Sequence, residues 1–143
     1  MHRHFVTSPI VSSPIIAFAI AAIVMMAAPS RANAQTPGAQ RKILHQEDLA
    51  VAPGYEAVQA IGIIPPGGRE GKHTHPGLML GYVVEGDLTM EIEGKPTLTY
   101  KTGESFVIEP GAVHEGINNG TVPYKAVVTY IVPKGKPLTT QVK

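Results

Sequence analysis

No disulfide can hold this chain together, because it contains no cysteine. A small exported domain without such staples depends on a compact core, a closed sheet, a metal or a partner chain. The same absence excludes a lipid anchor on an N-terminal cysteine after the signal-like segment described below. Tryptophan is missing too, aromatic residues make up only 6% of the sequence, and no basic run occurs. These shortages argue against a nucleic-acid groove, which needs cationic tracks and stacking faces. Long hydrophobic runs are scarce as well. The run from Ile15 to Ala28 spans 14 residues, short of the ~18 or more that cross a bilayer. No amphipathic helical stretch and no internal repeat follow it.

What is present begins with an address. His2 and Arg3 precede the apolar run, and Ala32-Asn33-Ala34 follows it before Gln35. A basic start, an apolar core and a small-x-small site are the three parts of a secretory signal. The sequence predicts cleavage after Ala34 and export, to a bacterial periplasm or the medium, with no stable membrane insertion afterwards. An uncleaved membrane anchor is the alternative. Removal of residues 1–34 takes Arg3 and Arg31 away and leaves ten basic against eleven acidic residues, a formal charge of −1 instead of +1. The remaining 109 residues suffice for one small domain.

Within that domain, residues 35–42 read as a flexible leader and 136–143 as a loose tail, bracketing a folded part at 43–135. Ile43 to Ala52 is a first strand or an extended arm. Tyr55 to Ile64 is rich in Val, Ile and Ala and reads as a strand. Leu80 to Val84 is another, Leu88, Met90 and Ile92 alternate with polar residues, and Leu98 and Tyr100 do the same. Ser105 to Ile108 is a short strand, and Tyr124 to Val132 a long one. Gly, Pro or Asn separates these runs every 8 to 12 residues or so, the cadence of an all-β sandwich or barrel.

The chemistry concentrates in two segments. His73 and His75 are one residue apart, so on a strand they share a face. His114 follows Pro110-Gly111, and a folded sheet could bring it opposite the first two. Gly67-x5-His73-x-His75 and Gly103-x6-Pro110-Gly111-x2-His114-x3-Asn118 together resemble the two halves of the cupin signature. The resemblance implies an all-β, cupin-type jelly-roll barrel of six to eight short antiparallel strands. It also implies a metal inside the barrel and a homodimer.

Two positions depart from the signature. Its glutamate is Met79 here, and its second-block proline is Glu109, with the proline displaced to Pro110. Three neutral imidazoles then remain as ligands for one divalent transition metal, Fe, Zn, Ni, Mn or Cu, with positions open for water or substrate. Loss of the carboxylate disfavours hard ions such as Mn(II) and leaves the site more positive. Met79 has three readings: a core filler beside the metal, a lining of the substrate pocket, or a weak fourth ligand suited to copper. Glu109 is a loop carboxylate, or a replacement ligand or base that swings inward. His45 reads as a surface residue, Glu115 as facing away from His114, and Asn118 as a turn stabiliser. Tyr82, Tyr100, Tyr124 and Tyr130 read as barrel core or rim, and Gly67, Gly86, Gly103 and Gly111 as tight-turn residues needing φ > 0.

Two functions are compatible with these residues. One is an exported mononuclear metalloenzyme, dioxygenase-like or a metal-assisted isomerase or lyase, acting on a small oxygen-bearing molecule; no catalytic base is assigned. The other is a non-catalytic module that binds a metal or small molecule, as the short loops favour. A barrel that has lost its metal altogether is a third, in which the histidines bond to each other or to water.

Overall fold

The computed structural model describes residues 38–143, so the expected signal segment, its cleavage point and the first residues of the leader lie outside the described residues. Those described form ten strands and no helix. In order they are β1 (Gln40–Asp48), β2 (Tyr55–Ile64), β3 (His73–Thr74), β4 (Leu78–Glu85), β5 (Leu88–Ile92), β6 (Leu98–Tyr100), β7 (Ser105–Ile108), β8 (His114–Ile117), β9 (Tyr124–Pro133) and β10 (Thr140–Gln141). They make two five-stranded sheets, ordered β1-β2-β9-β4-β7 and β10-β3-β8-β5-β6. All strand pairings are antiparallel. The all-β, cupin-type reading is therefore correct, with more strands than the six to eight implied.

The first sheet is built from long, β-branched strands. β2 and β9 pair from Tyr55↔Pro133 to Ile64↔Tyr124 without a break. Along β9, buried and half-buried residues alternate at every position, the pattern of a strand with one face in the core. Its inward Ala126, Val128 and Val132 pack with Val58, Ala60 and Ile64 of β2, and with Leu88 and Met90 from the opposite sheet. Gly81 on β4 makes room for an aromatic ring: a Cβ there would lie 2.1 Å from Phe106 Cζ. Gly67, Gly86, Gly103 and Gly111 all have positive φ. At Gly86 (φ 70°) a side chain would be doubly opposed, because its Cβ would also stand 2.7 Å from the Pro123 carbonyl oxygen.

Both chain ends differ from expectation. Residues 40–42, expected in the flexible leader, belong to β1, where Gln40, Arg41 and Lys42 pair with Ile63, Gly62 and Ile61. All nine residues of β1 are exposed, and the register slips between Ile43 and His45. A strand with no buried face and a bulge carries no alternation to read. The tail, expected to be loose, holds β10, which pairs Thr140 with Thr74 and Gln141 with His73. The Val142 N–H also donates to the Lys72 carbonyl (2.9 Å).

Candidate metal centre

The second sheet brings the histidines together. β3 and β8 meet in one cross-strand pair, His73↔His114, and directly opposed residues project to the same face. His75 follows two residues after His73. The ring centroids lie 4.3 Å (His73–His114), 4.9 Å (His73–His75) and 4.9 Å (His75–His114) apart. One ring nitrogen from each residue lies within 4.8 Å of the others, so the group could hold a metal ion. All three are nearly inaccessible to solvent.

Each Nδ1 faces a backbone carbonyl: His73 that of Gly71 (2.7 Å), His75 that of Leu138 (2.6 Å) and His114 that of Ala112 (2.9 Å). A carbonyl can only accept, so each Nδ1 carries the proton and donates. That fixes the tautomer and leaves a lone pair on every Nε2, the arrangement that carbonyl acceptors on the far nitrogen impose on metal-binding imidazoles. His114 Nε2 is buried with no hydrogen-bond partner, a condition that calls for an explanation in a folded protein. A metal ion satisfies it, so the residues present fit the group. Burial, reinforced by the neighbouring imidazoles, lowers the His75 pKa to about 3 and that of His114 to about 4. Both are therefore neutral, ligand-ready imidazoles at neutral pH.

A cavity of about 250 Å3 opens beside His73 and His75. Met79, buried on β4, lines it and belongs to the hydrophobic core as well, so two of its three readings describe one position. Glu109 is exposed and off the cavity wall, in the turn where its carbonyl accepts from the Ala112 N–H (3.1 Å). As placed, it is a loop carboxylate outside the three-histidine group. His45 is a surface residue, 3.6 Å from Glu47. Asn118 does more than hold one turn. Its buried Nδ2 donates to the Ile64 and Val122 carbonyls (2.8 Å each), while its Oδ1 accepts from the Gly120 N–H (2.9 Å).

Glu115 leans away from His114 but is not free: Arg69 grips both its oxygens (2.9 and 2.7 Å) and the Gly71 N–H donates to it (3.1 Å). The Arg69 hydrogen bond holds its carboxyl below the usual carboxylate range. Tyr82 is exposed and Tyr100 packs against the core, whereas Tyr124 and Tyr130 line the cavity. The Tyr130 ring stands edge-on, 4.9 Å from the His75 ring. Burial raises the pKa of both phenols, that of Tyr124 strongly.

Glu70 is the residue that sequence reasoning missed. It lines the cavity, and its Oε2 sits where a Cβ on Gly116 would be, 2.4 Å away. Burial raises its pKa from the ordinary carboxylate value, against the opposing influence of His73 and Arg41. On a regular strand it would point away from His73, three residues on. Gly71, at φ 75°, breaks that regularity. The one available signal was Gly71 itself, between the charged pair Arg69-Glu70 and the histidines. The Leu138 carbonyl was missed too, because no side chain announces it.

A two-sheet antiparallel barrel with three clustered histidines, His73 on β3, His75 just beyond it and His114 on β8, defines a metal-binding cupin. The cupin-domain family model matches residues 60–130, and the chain belongs to the cupin superfamily. None of the curated proteins matches it. Among solved structures, it is similar to a conserved protein with a double-stranded β-helix domain from Klebsiella pneumoniae (19% identity, TM-score 0.59, 74% of this chain and 85% of that one). It is also similar to an oxalate oxidase (25% identity, TM-score 0.60, 76% of this chain) and to the DMSP lyase DddQ from Ruegeria pomeroyi (16% identity, TM-score 0.59, 73% of this chain). The match spans 57% of the oxidase chain and 51% of the lyase chain.

Proposed function

We propose that this chain is a metal-dependent cupin enzyme acting on a small oxygen-bearing molecule, with His73, His75 and His114 as the ligands of one divalent transition metal. The observation that carries this reading is the set of three Nδ1–H donations to carbonyls, which leaves three Nε2 lone pairs within one cluster. The metal, when bound, supplies Lewis acidity toward the substrate's oxygens or, if iron or copper, access to dioxygen chemistry. The chain supplies the rest. Met79, Leu88, Met90 and Phe106 give the cavity apolar walls that keep water from the reacting end. Glu70, the one carboxyl on the wall, is placed to hold or accept a proton at Oε2. That an oxidase and a lyase share the fold supports both dioxygenase-like and isomerase or lyase chemistry as candidates.

Two further features belong to this reading. The signal-like segment supports export to the periplasm or medium; the protein recovered from an expressing bacterium should begin at Gln35. The outer face of β4 exposes Leu80, Tyr82 and Val84, which supports a homodimer closed over that face, to be read by light scattering.

The test is metal content of the tag-free protein beside a His73→Ala/His75→Ala double variant. About one equivalent of a single metal, lost in the variant, is expected. No uptake of Fe, Cu, Zn, Ni or Mn on reconstitution would overturn the reading. Bound metal without turnover or dioxygen consumption, across small oxygen-bearing compounds, would identify a non-catalytic binding module instead.

A further inference from the structure

Two arginines lie near the histidine cluster, and they are used differently. Arg69 is fully engaged, with two of its nitrogens on the two oxygens of Glu115. Arg41 lies on the cavity wall, and among the described residues no carboxylate lies within ion-pair distance of it. Nor does any aspartate or glutamate occur in residues 1–37. Its Nη2 donates to Thr139 Oγ1 (2.7 Å), which joins β1 to the C-terminal segment at the cavity rim. Its guanidinium carbon stands 5.1 Å over the Tyr130 ring, and that ring is 4.9 Å from the ring of His75. Arg41 is thus separated from the histidine cluster by a single aromatic ring.

The register explains how an exposed strand delivers this side chain to the cavity. Arg41 pairs with Gly62, and paired residues share a face. That face of β2 carries the inward Val58, Ala60 and Ile64. Gly62 lines the cavity without a side chain, and a Cβ there would meet nothing within 4 Å. The space beneath Arg41 is therefore open. Among the described residues, Arg41 is also the only lysine or arginine on the wall. A planar guanidinium that shares a small cavity with Glu70, touches Thr139 and Tyr130 and has no ion-pair partner among the described residues is suited to a carboxylate, which it can bind through two parallel hydrogen bonds.

We propose that Arg41 is a specificity-determining residue that binds the carboxylate of a small acid, whose remaining oxygens face the histidine cluster. The substrate class is then a short carboxylic acid bearing a second oxygen function, not a neutral molecule. At about 250 Å3 the cavity is below the ~300 Å3 at which pockets for drug-sized ligands begin, consistent with an acid of few carbons. The inference rests on the metal-centre reading for the far end of the ligand, but the role of Arg41 is measured separately.

The experiment uses the full chain, zinc-loaded, with metal content measured first. Three acids are titrated against their uncharged amides: glycolate and glycolamide, pyruvate and pyruvamide, malonate and malonamide. The quantity read is the acid-over-amide preference in the wild type divided by that in Arg41→Met. This ratio cancels any preference the metal itself has for a carboxylate. For at least one pair it should be about 10- to 100-fold, the range expected for charge-assisted hydrogen bonds, with metal content unchanged. Arg41→Lys keeps the charge without the planar fork and should keep only part of the preference. It also carries the test if Arg41→Met does not fold. A ratio near one for all three pairs, or a lysine variant indistinguishable from wild type, overturns the proposal. Failure of zinc and of Fe, Cu, Ni and Mn alike to bind would instead overturn the metal-centre reading. In that case the same ratio, measured on metal-free protein, still decides the role of Arg41.

Discussion

β9, in the long-stranded sheet, alternates buried and half-buried residues over ten positions, whereas β8, in the middle of the short-stranded sheet, buries all four of its residues. β9 has one face in the core and one toward the surface. β8 has His114 on one face and Glu115 on the other, the first in the histidine cluster and the second under Arg69. The contrast extends to what fixes each side chain. In β9 and β2 the pattern of apolar residues does it, through ten consecutive pairs. In β3 and β8 a single cross-strand pair is supported by side chain-to-backbone hydrogen bonds from separate segments. Regular repetition makes a scaffold that tolerates small changes in any one side chain, while a site assembled from single contacts depends on each of them.

The largest effect that would sharpen this contrast is removal of the tail. Termination after Pro137 deletes β10 and the Leu138 carbonyl that receives the His75 Nδ1 proton. The long-stranded sheet keeps every strand, so circular dichroism should be nearly unchanged. Metal affinity should fall by about 10- to 100-fold, as when other hydrogen-bond acceptors that orient a metal-binding imidazole are lost. Unchanged affinity would mean that the His75 ring is held by its packing on Tyr130 alone.

Gly81→Ala strikes the opposite sheet. The new Cβ would lie 2.1 Å from Phe106 Cζ, and the ring must move within a packed core. Overpacking of this kind costs about 1–3 kcal/mol, readable as a lower urea midpoint at unchanged slope. Metal content should stay at the wild-type level. A metal-depleted Gly81→Ala protein would show that the scaffold and the site are not separable.

How much of this was legible in the sequence follows the same division. Tyr55 to Ile64 was readable to the residue because its β-branched run is bounded by Pro53-Gly54 and Pro65-Pro66. The three histidines were readable because their spacing survives folding. The Ile43 to Ala52 reading starts three residues late and runs four residues past the end of β1, because none of the strand's residues is buried and a bulge shifts its register. β10 was missed because two paired residues leave no periodic trace. Glu70 was hidden by the left-handed Gly71, and Arg41 by its place in a segment read as leader. These residues become visible only once the register of β1 and the turn at Gly71 are known.

Acid should strain the two regions unequally. In metal-free protein the His75 and His114 pKa values, about 3 and about 4, lie below the unfolded value of 6.5. Between those limits the unfolded chain binds protons that the native site refuses, so stability falls as pH falls below about 6.5. At pH 5 the loss reaches up to roughly 2 kcal/mol per histidine. Urea midpoints at pH 7.5 and pH 5.0 measure it. A His75→Asn/His114→Asn variant should show a clearly smaller difference, because the long-stranded sheet carries no buried histidine. An equal acid sensitivity in that variant would move its source elsewhere in the barrel.

The smallest effect comes from a contact that looks as strong as the one supporting His75. Lys101 Nζ lies 2.6 Å from Asp87 Oδ2, the same distance as His75 Nδ1 from the Leu138 carbonyl oxygen. The Lys101 and Asp87 side chains are 62% and 45% exposed, so water and salt compete for both charges, and holding two flexible chains in one geometry offsets much of the attraction. Lys101→Met should change stability by less than ~0.5 kcal/mol and leave metal content untouched. The His75 contact differs in being buried, where its acceptor decides which nitrogen carries the proton and therefore which one is left for a metal. If Lys101→Met shifted the urea midpoint as far as Gly81→Ala does, the turn it bridges beside β5 would have to be part of the scaffold, and the division between the two sheets would have been drawn in the wrong place.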